Sequence, residues 1–300
     1  MRFIGLALLF LALPAWGQIE TLSVQGRDRW WTQHIPPGGA AGRPLVVALH
    51  GGGGSGVGFD EITQGQLTRE ARRRRWVVVF PEGLEKGWND GRPPASRRDE
   101  RRQAVDDVAF LDAMVDWLIA HHQVDPTRVY FTGMSNGGFM SQRYALDHAD
   151  KVAAIGLVVA TVAEAWAERR PTRPVPALFL LGSEDPLVPY AGGQVVALGT
   201  ERGAVLSAAA SLRHWAVLDG CGDTPVRETL ADRAPRDETR AVVDRFPCPA
   251  GVGLELWTLE GGGHTWPLGQ QYLPKVMVGR VSREVDGAGV LFDFFARHQR

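Results

Sequence analysis

A short β-branched and aromatic run, Arg128-Val129-Tyr130-Phe131-Thr132, leads into Gly133-Met134-Ser135-Asn136-Gly137, and an apolar helical pattern follows. A G-x-S-x-G pentapeptide between a strand and a helix reads as a nucleophile elbow. The serine sits on a sharp, strained turn, and only residues without Cβ let the flanking strand and helix pass so close. That turn lifts the Ser135 hydroxyl above the sheet edge. It also aims the backbone N–H of Asn136 toward the point where an oxyanion would form. The alternative, a plain turn, leaves the strand before and the helix after unexplained.

A second segment points to the same chemistry. The buried-strand run Leu45 to Leu49 ends in His50-Gly51-Gly52-Gly53-Gly54-Ser55-Gly56. Consecutive glycines are entropically costly, and their use is close backbone approach to a ligand. A flexible linker fits poorly just after a core strand. In the α/β-hydrolase architecture an H-G-G-G segment after the third strand supplies the second oxyanion donor. Gly51, Gly52 and Gly53 form the expected donor region.

In that architecture an acid and a histidine follow the serine in chain order, each after a strand. Ala177 to Leu181 is a strand run followed by Gly182-Ser183-Glu184-Asp185-Pro186, and Leu254 to Leu259 leads into Glu260-Gly261-Gly262-Gly263-His264-Thr265-Trp266. The expected catalytic set is Ser135, Asp185 and His264. Glu184 competes for the acid position, but a carboxylate directly before Pro186 is better fixed at a turn. A histidine after three glycines is hard to read as a packed core residue. The remaining histidines read as surface, helix-end or loop-anchoring residues.

The combination L-H-G-G-G-G-S-G, W-N-D-G-R, V-D-D-V-A-F-L, G-M-S-N-G-G-F-M, E-D-P-L-V-P-Y and G-G-G-H-T-W-P resembles a known group. It is that of the poly(3-hydroxybutyrate) depolymerases and feruloyl esterases, secreted carbohydrate-esterase-family-1-like enzymes. The resemblance runs from Trp30 to the C-terminus. It implies Ser135 as nucleophile, Asp185 as acid, His264 as base and Asn136 as an oxyanion donor. Three departures bear on substrate preference. Leu181 stands where relatives often carry histidine, Pro267-Leu268-Gly269 interrupts the usual W-P-G, and Gly91-Arg92-Pro93-Pro94 lacks cysteines.

The N-terminus reads as a targeting segment. Arg2 supplies a positive n-region, Phe3 to Leu13 an apolar h-region, and Ala15-Trp16-Gly17 a cleavage site. Residues 1–17 are therefore expected to be a signal peptide and 18–300 a single catalytic domain. The apolar run is too short to span a membrane, so a secreted or periplasmic enzyme without a span after cleavage is expected. Export permits a disulfide between Cys221 and Cys248, which bracket two strand-like runs and would staple a hairpin at its base.

The formal net charge is −1, and the arginine runs at 72–75 and 97–102 are not interleaved with stacking aromatics. Both read as solvated surface, which argues against nucleic acid. Neither a metal nor an organic cofactor is expected, and the sequence leaves the oligomeric state open.

Strands alternating with helices imply an α/β-hydrolase fold, a mostly parallel sheet with helices on both faces. Expected helices include 61–73, 105–121, 137–147, 206–218 and 290–297. Residues 83–102 read as a long polar loop on the catalytic edge. Trp88 in that loop and Trp266 beside the histidine are candidate substrate-binding walls, although Trp266 could equally pack the histidine loop. The sequence thus points to a serine carboxylic-ester hydrolase acting on hydroxyalkanoate oligomers or on feruloyl or acetyl esters. A serine peptidase of the same fold and a non-catalytic binding module are the competing readings. Against the peptidase stands the lack of a propeller or lid domain before the core. The binding module conflicts with retention of the serine, acid, histidine and glycine loop. The short tail after His264 leaves no room for a polymer-binding domain and favours soluble or oligomeric esters.

Overall fold

Leu45–Leu49 (β3) is buried at every position. Leu45, Val47 and Leu49 enter one core while Val46 and Ala48 enter the other, as the two-residue period of a strand requires. A strand covered on both faces needs an unbroken hydrophobic run, the mark of a parallel sheet between helical layers. The computed structural model describes residues 16–197 and 199–300.

One ten-stranded sheet organises the chain. Six strands run parallel: β3, β4 (Val77–Pro81), β5 (Val129–Met134), β6 (Ala154–Val158), β7 (Ala177–Gly182) and β12 (Leu254–Glu260). Antiparallel strands extend both edges: β1 (Trp16–Val24) and β2 (Arg27–His34) beside β4, β11 (Arg240–Arg245) and β10 (Val226–Thr229) beside β12. The order is β1-β2-β4-β3-β5-β6-β7-β12-β11-β10. A separate hairpin pairs β8 (Gly193–Ala197) with β9 (Thr200–Val205).

One core packs under α4 (Asp107–His122), α5 (Asn136–Asp147) and α6 (Ala208–Asp219). The other packs under α1 (Gly56–Ile62), α2 (Gln66–Arg74) and α7 (Gly287–Phe295). The mostly parallel sheet with helices on both faces is the expected fold. Among the described residues no helix is long and apolar enough to cross a membrane.

Several local expectations need correction. The helix expected over 61–73 is two helices, because the backbone turns left-handed at Gln64 (φ 52°) and Gly65 (φ 68°). The expected loop 83–102 holds most of α3 (Arg97–Gln103), started by Ser96 Oγ accepting from the Asp99 N–H. Asp107, in the first turn of α4, is buried against Arg29 at 2.7 Å. Asp106 is the N-cap, accepting from the Ala109 N–H. Most of the expected signal segment, residues 1–15, lies outside the described residues, and Trp16 and Gly17 begin β1.

The expected staple is present: Cys221 and Cys248 form a disulfide across 27 residues, and both pack on the core of the α6 face. Closing a loop of this length stabilises by roughly 3–4 kcal/mol in the chain-entropy model. Selective reduction is therefore expected to lower the unfolding free energy by that amount, seen as a lower denaturant midpoint, while leaving kcat/KM at 25 °C unchanged. Urea titration and ester turnover on oxidised and reduced protein check this. An equal midpoint in both forms would show the staple to be energetically idle.

Candidate active site

The elbow begins with β5 and ends with α5. Ser135 sits between them at φ 55°, ψ −120°, as the N-cap residue of α5 without a side-chain capping bond. A non-glycine residue at that φ is strained, by about 1–3 kcal/mol, and the glycines around it explain how the strain persists. A Cβ at Gly133 would strike the Gly137 backbone, and one at Gly137 would strike the Leu49 carbonyl of β3. The strand, the turn and the glycine loop therefore touch through bare backbone. The Asn136 N–H, first in the helix, has no intrahelical acceptor.

The Asn136 side chain faces away from that task. Its Oδ1 accepts from the Trp88 N–H at 2.8 Å, and its Nδ2 donates to Asp90 Oδ2 at 2.6 Å and to the Trp88 carbonyl at 3.1 Å. The elbow and the loop after β4 are thereby locked together.

His50 fixes the glycine loop. Its Nε2 accepts from the Gly83 N–H at 3.0 Å, so Nδ1 carries the proton and donates to the Gly51 carbonyl at 2.8 Å. Burial pushes this imidazole down to about 4, against the opposing pull of the Gly51 carbonyl. Trp88 donates from Nε1 to the His50 carbonyl at 2.9 Å, with the two ring centroids 4.9 Å apart. Trp88 borders the cavity but is buried, so its main work is holding the loop. Gly53, expected as a possible oxyanion donor, already gives its N–H to the Lys86 carbonyl at 2.7 Å. Gly51 and Gly52 remain, and both lie against the elbow: a Cβ at Gly51 would sit 3.8 Å from the Ser135 Cβ, and one at Gly52 3.7 Å from the Asn136 Cβ.

The neutral, buried His50 makes the site acid-sensitive. An unfolded histidine titrates near 6.5 and this one near 4, so between those values the unfolded chain binds more protons. Stability falls as pH drops through that window, by about 3 kcal/mol for the full shift. His50→Gln, whose amide oxygen can still meet the Gly83 N–H, should lose that share of the acid sensitivity. Urea unfolding of both proteins at neutral pH and near pH 4 checks this. Parallel losses in the two would assign the sensitivity to other groups.

Asp185 and His264 meet directly: His264 Nδ1 lies 2.7 Å from Asp185 Oδ2, and both side chains are buried. Asp185 Oδ1 accepts from the N–H groups of Leu187 and Val188, each at 2.8 Å, which fixes the carboxylate. Glu184, the competing acid, is exposed and pairs with Arg280 at 2.8 Å.

The glycines before His264 also have a structural reason. A Cβ on Gly263 would strike the Val278 carbonyl and the Gly279 backbone. That close passage lets the His264 N–H donate to the Val278 carbonyl at 2.6 Å. Tyr272 adds a bond from its hydroxyl to the His264 carbonyl at 2.9 Å.

Ser135 and His264 face one cavity of about 730 Å³, which the glycine loop also lines. Trp266 does not border it. Its ring is fully buried, edge-on to Phe59 at 5.6 Å, with Nε1 donating to Gln66 Oε1 at 3.1 Å. It packs the histidine loop onto α1 and α2, so the substrate-wall expectation for Trp266 is withdrawn. The buried Arg29–Asp107 pair was not anticipated as part of the site. Asp107 Oδ2 accepts from the Asn89 N–H at 2.7 Å and so anchors the loop carrying Trp88 and Asp90. Among the described residues no group of three or more His, Cys, Asp or Glu side chains could hold a metal ion.

Comparison with known proteins places this geometry in a family. Residues 30–170 match the family model described as esterase PHB depolymerase. The chain is 32% identical over 280 residues to the protein named "Putative esterase NocK" from Nocardia uniformis subsp. tsuyamanensis, covering 90% of this chain and 80% of that one. It is 27% identical to feruloyl esterase B of Piromyces equi over 74% of this chain, but spans only 39% of that protein's length. It is 31% identical to poly(3-hydroxyalkanoate) depolymerase C of Paucimonas lemoignei over 39% of this chain and 28% of that one. In structure it superposes on an acetyl xylan esterase from Aspergillus awamori with a TM-score of 0.56 at 17% identity, covering 83% of this chain and 94% of that one. A thermostable esterase gives a TM-score of 0.58 at 14% identity, covering 96% and 64%. The chain belongs to the esterase PHB depolymerase family of carboxylic ester hydrolases and has the α/β-hydrolase fold.

Proposed function

We propose that this protein is an exported serine esterase working through Ser135, His264 and Asp185. The observation that carries the reading is the buried 2.7 Å contact of Asp185 with His264, in a cavity that Ser135 also faces. A carboxylate on Nδ1 keeps the proton there and leaves Nε2 as the acceptor. His264 then takes the Ser135 proton as Oγ bonds to the ester carbonyl carbon. The oxyanion develops against the N–H of Asn136 and one from Gly51 or Gly52. Collapse expels the alcohol, which leaves with the proton from His264. Water then repeats the sequence on the acyl-enzyme, releasing the acid and restoring Ser135.

Hydroxyalkanoate oligomers and feruloyl or acetyl esters are the substrate classes that the named relatives suggest. The short apolar segment behind Arg2 supports export to the periplasm or beyond, and residues 18–300 are read as one catalytic domain. The test sets p-nitrophenyl ester turnover beside peptide-anilide turnover, with a fluorophosphonate label mapped by mass spectrometry. Ester turnover with the label on Ser135 is the expected result. Anilide turnover alone would favour a peptidase, and neither activity a binding module.

A further inference from the structure

The cavity lining combines two kinds of chemistry. One part of the lining is Leu273, Val276 and Met277, from the segment after His264. These are among the most exposed large apolar side chains of the protein, Val276 at 89%. Exposed apolar residues gathered at a cavity mouth mark a surface that apolar ligands cover.

Another part is Arg92, Arg98, Arg102 and Arg202, against the two carboxylates Asp90 and Asp99. Four guanidiniums to two carboxylates is a local excess of positive charge in a chain whose formal net charge is −1. Both carboxylates are already committed. Asp90 holds Arg92 at 2.7 Å and also accepts from Asn136 Nδ2 at 2.6 Å. Asp99 is shared between Arg102 at 2.9 Å and Arg202 at 3.1 Å. Arg98 bonds the Glu85 carbonyl at 2.6 and 2.9 Å and reaches the Glu85 carboxylate only at 4.0 Å. With Arg102 and Arg202 sharing one carboxylate and Arg98 meeting its own only at 4.0 Å, the cluster keeps positive charge to spare, and Arg98 and Arg202 keep solvent-facing surface, 43% and 31% of their side chains. A neutral ester gives this cluster no charge to pair. A carboxylate fits the planar fork of a guanidinium and completes the charge balance.

We propose that the enzyme selects amphiphilic esters, seating an apolar chain against Leu273, Val276 and Met277 and a carboxylate at Arg98 and Arg202. This rests on the serine-esterase reading of the same cavity and adds the substrate's charge to it. Arg202 comes from the β8–β9 hairpin and Arg98 from α3, so two segments outside the main sheet act as a charge selector. Arg92, through Asp90, ties the selector to the residue after the nucleophile.

Two matched pairs of esters test it. In the first the acid lies on the acyl side: p-nitrophenyl hydrogen glutarate beside its methyl ester. In the second it lies on the leaving group: 4-(butyryloxy)benzoate beside its methyl ester. Each kcat/KM is divided by the compound's own alkaline hydrolysis rate. At low salt one pair should favour the charged member by about tenfold, the worth of one good ion pair. Raising sodium chloride from about 0.05 to 0.5 M should erode that ratio, since partly exposed charges are screened. Arg202→Gln and, separately, Arg98→Gln should each cut the ratio by about threefold or more, mainly through KM, while Arg202→Lys retains most of it. A ratio near one in both pairs, or a ratio that neither glutamine variant changes, would overturn the proposal. If neither member of any pair is hydrolysed above the Ser135→Ala background, the esterase reading itself has failed.

Discussion

Ser135→Ala is expected to lower kcat on any ester by roughly five to six orders of magnitude, by analogy with triad knockouts elsewhere. The size follows from position. Ser135 stands at the strained turn with φ 55°, between the bare backbone of Gly133 and Gly137, and no other hydroxyl occupies that turn. Its side chain makes no capping bond to α5, so truncation removes the nucleophile without removing support from the helix. Stability should therefore change by less than about 0.5 kcal/mol. KM should move little, because the cavity walls and oxyanion N–H groups remain. Purified variant retaining a tenth of wild-type turnover would end the serine-esterase reading, as would fluorophosphonate labelling that survives the substitution.

The elbow was legible because its physics is local. A β-branched run, glycines at fixed offsets and a helical pattern demand one turn, and no distant contact alters that. The turn at Asp185 was legible for a similar reason: Asp185 precedes Pro186, and its Oδ1 is held by the N–H groups of Leu187 and Val188 just beyond. Trp266 was not legible. Its position beside His264 says nothing about which way the ring points, and Gln66, some two hundred residues earlier in the chain, decides that.

Other misses have equally specific causes. α3 reads R-R-D-E-R-R-Q, with no apolar period to signal a helix. The Ser96 cap with Asp99 three residues later was the available clue. The β8–β9 hairpin is glycine-bearing and mostly not buried, so it lacks the clean alternation of a core-facing strand. β1 begins at Trp16, where the reading of a cleavage site masked a strand. Gly53 looks like its neighbours in sequence, and only the position of the Lys86 carbonyl removes it from the donor set. The site's geometry was thus most readable where chain-local sterics set it, and least where two distant segments met.

The last expectation separates the two adjacent acids. Asp185→Asn should preserve substrate binding and lower kcat by on the order of 10⁴, because an amide on Nδ1 no longer dictates the tautomer that leaves Nε2 free. The variant should fold, since the amide oxygen can still accept from Leu187 and Val188 in place of Oδ1. Its loss should fall on kcat rather than KM, as expected for an interaction that matters while charge develops on the imidazole. Glu184→Gln alters an exposed pair with Arg280, worth at most about 1 kcal/mol of stability, and turnover should stay within about twofold of wild type. Steady-state kinetics on one neutral ester, with circular dichroism to verify folding, distinguishes the cases. A crippled Glu184→Gln beside a nearly silent Asp185→Asn would move the acid by one residue and contradict the 2.7 Å contact with His264. Two silent variants would mean that the imidazole is oriented without a carboxylate, and the proposed triad would reduce to a serine and a histidine.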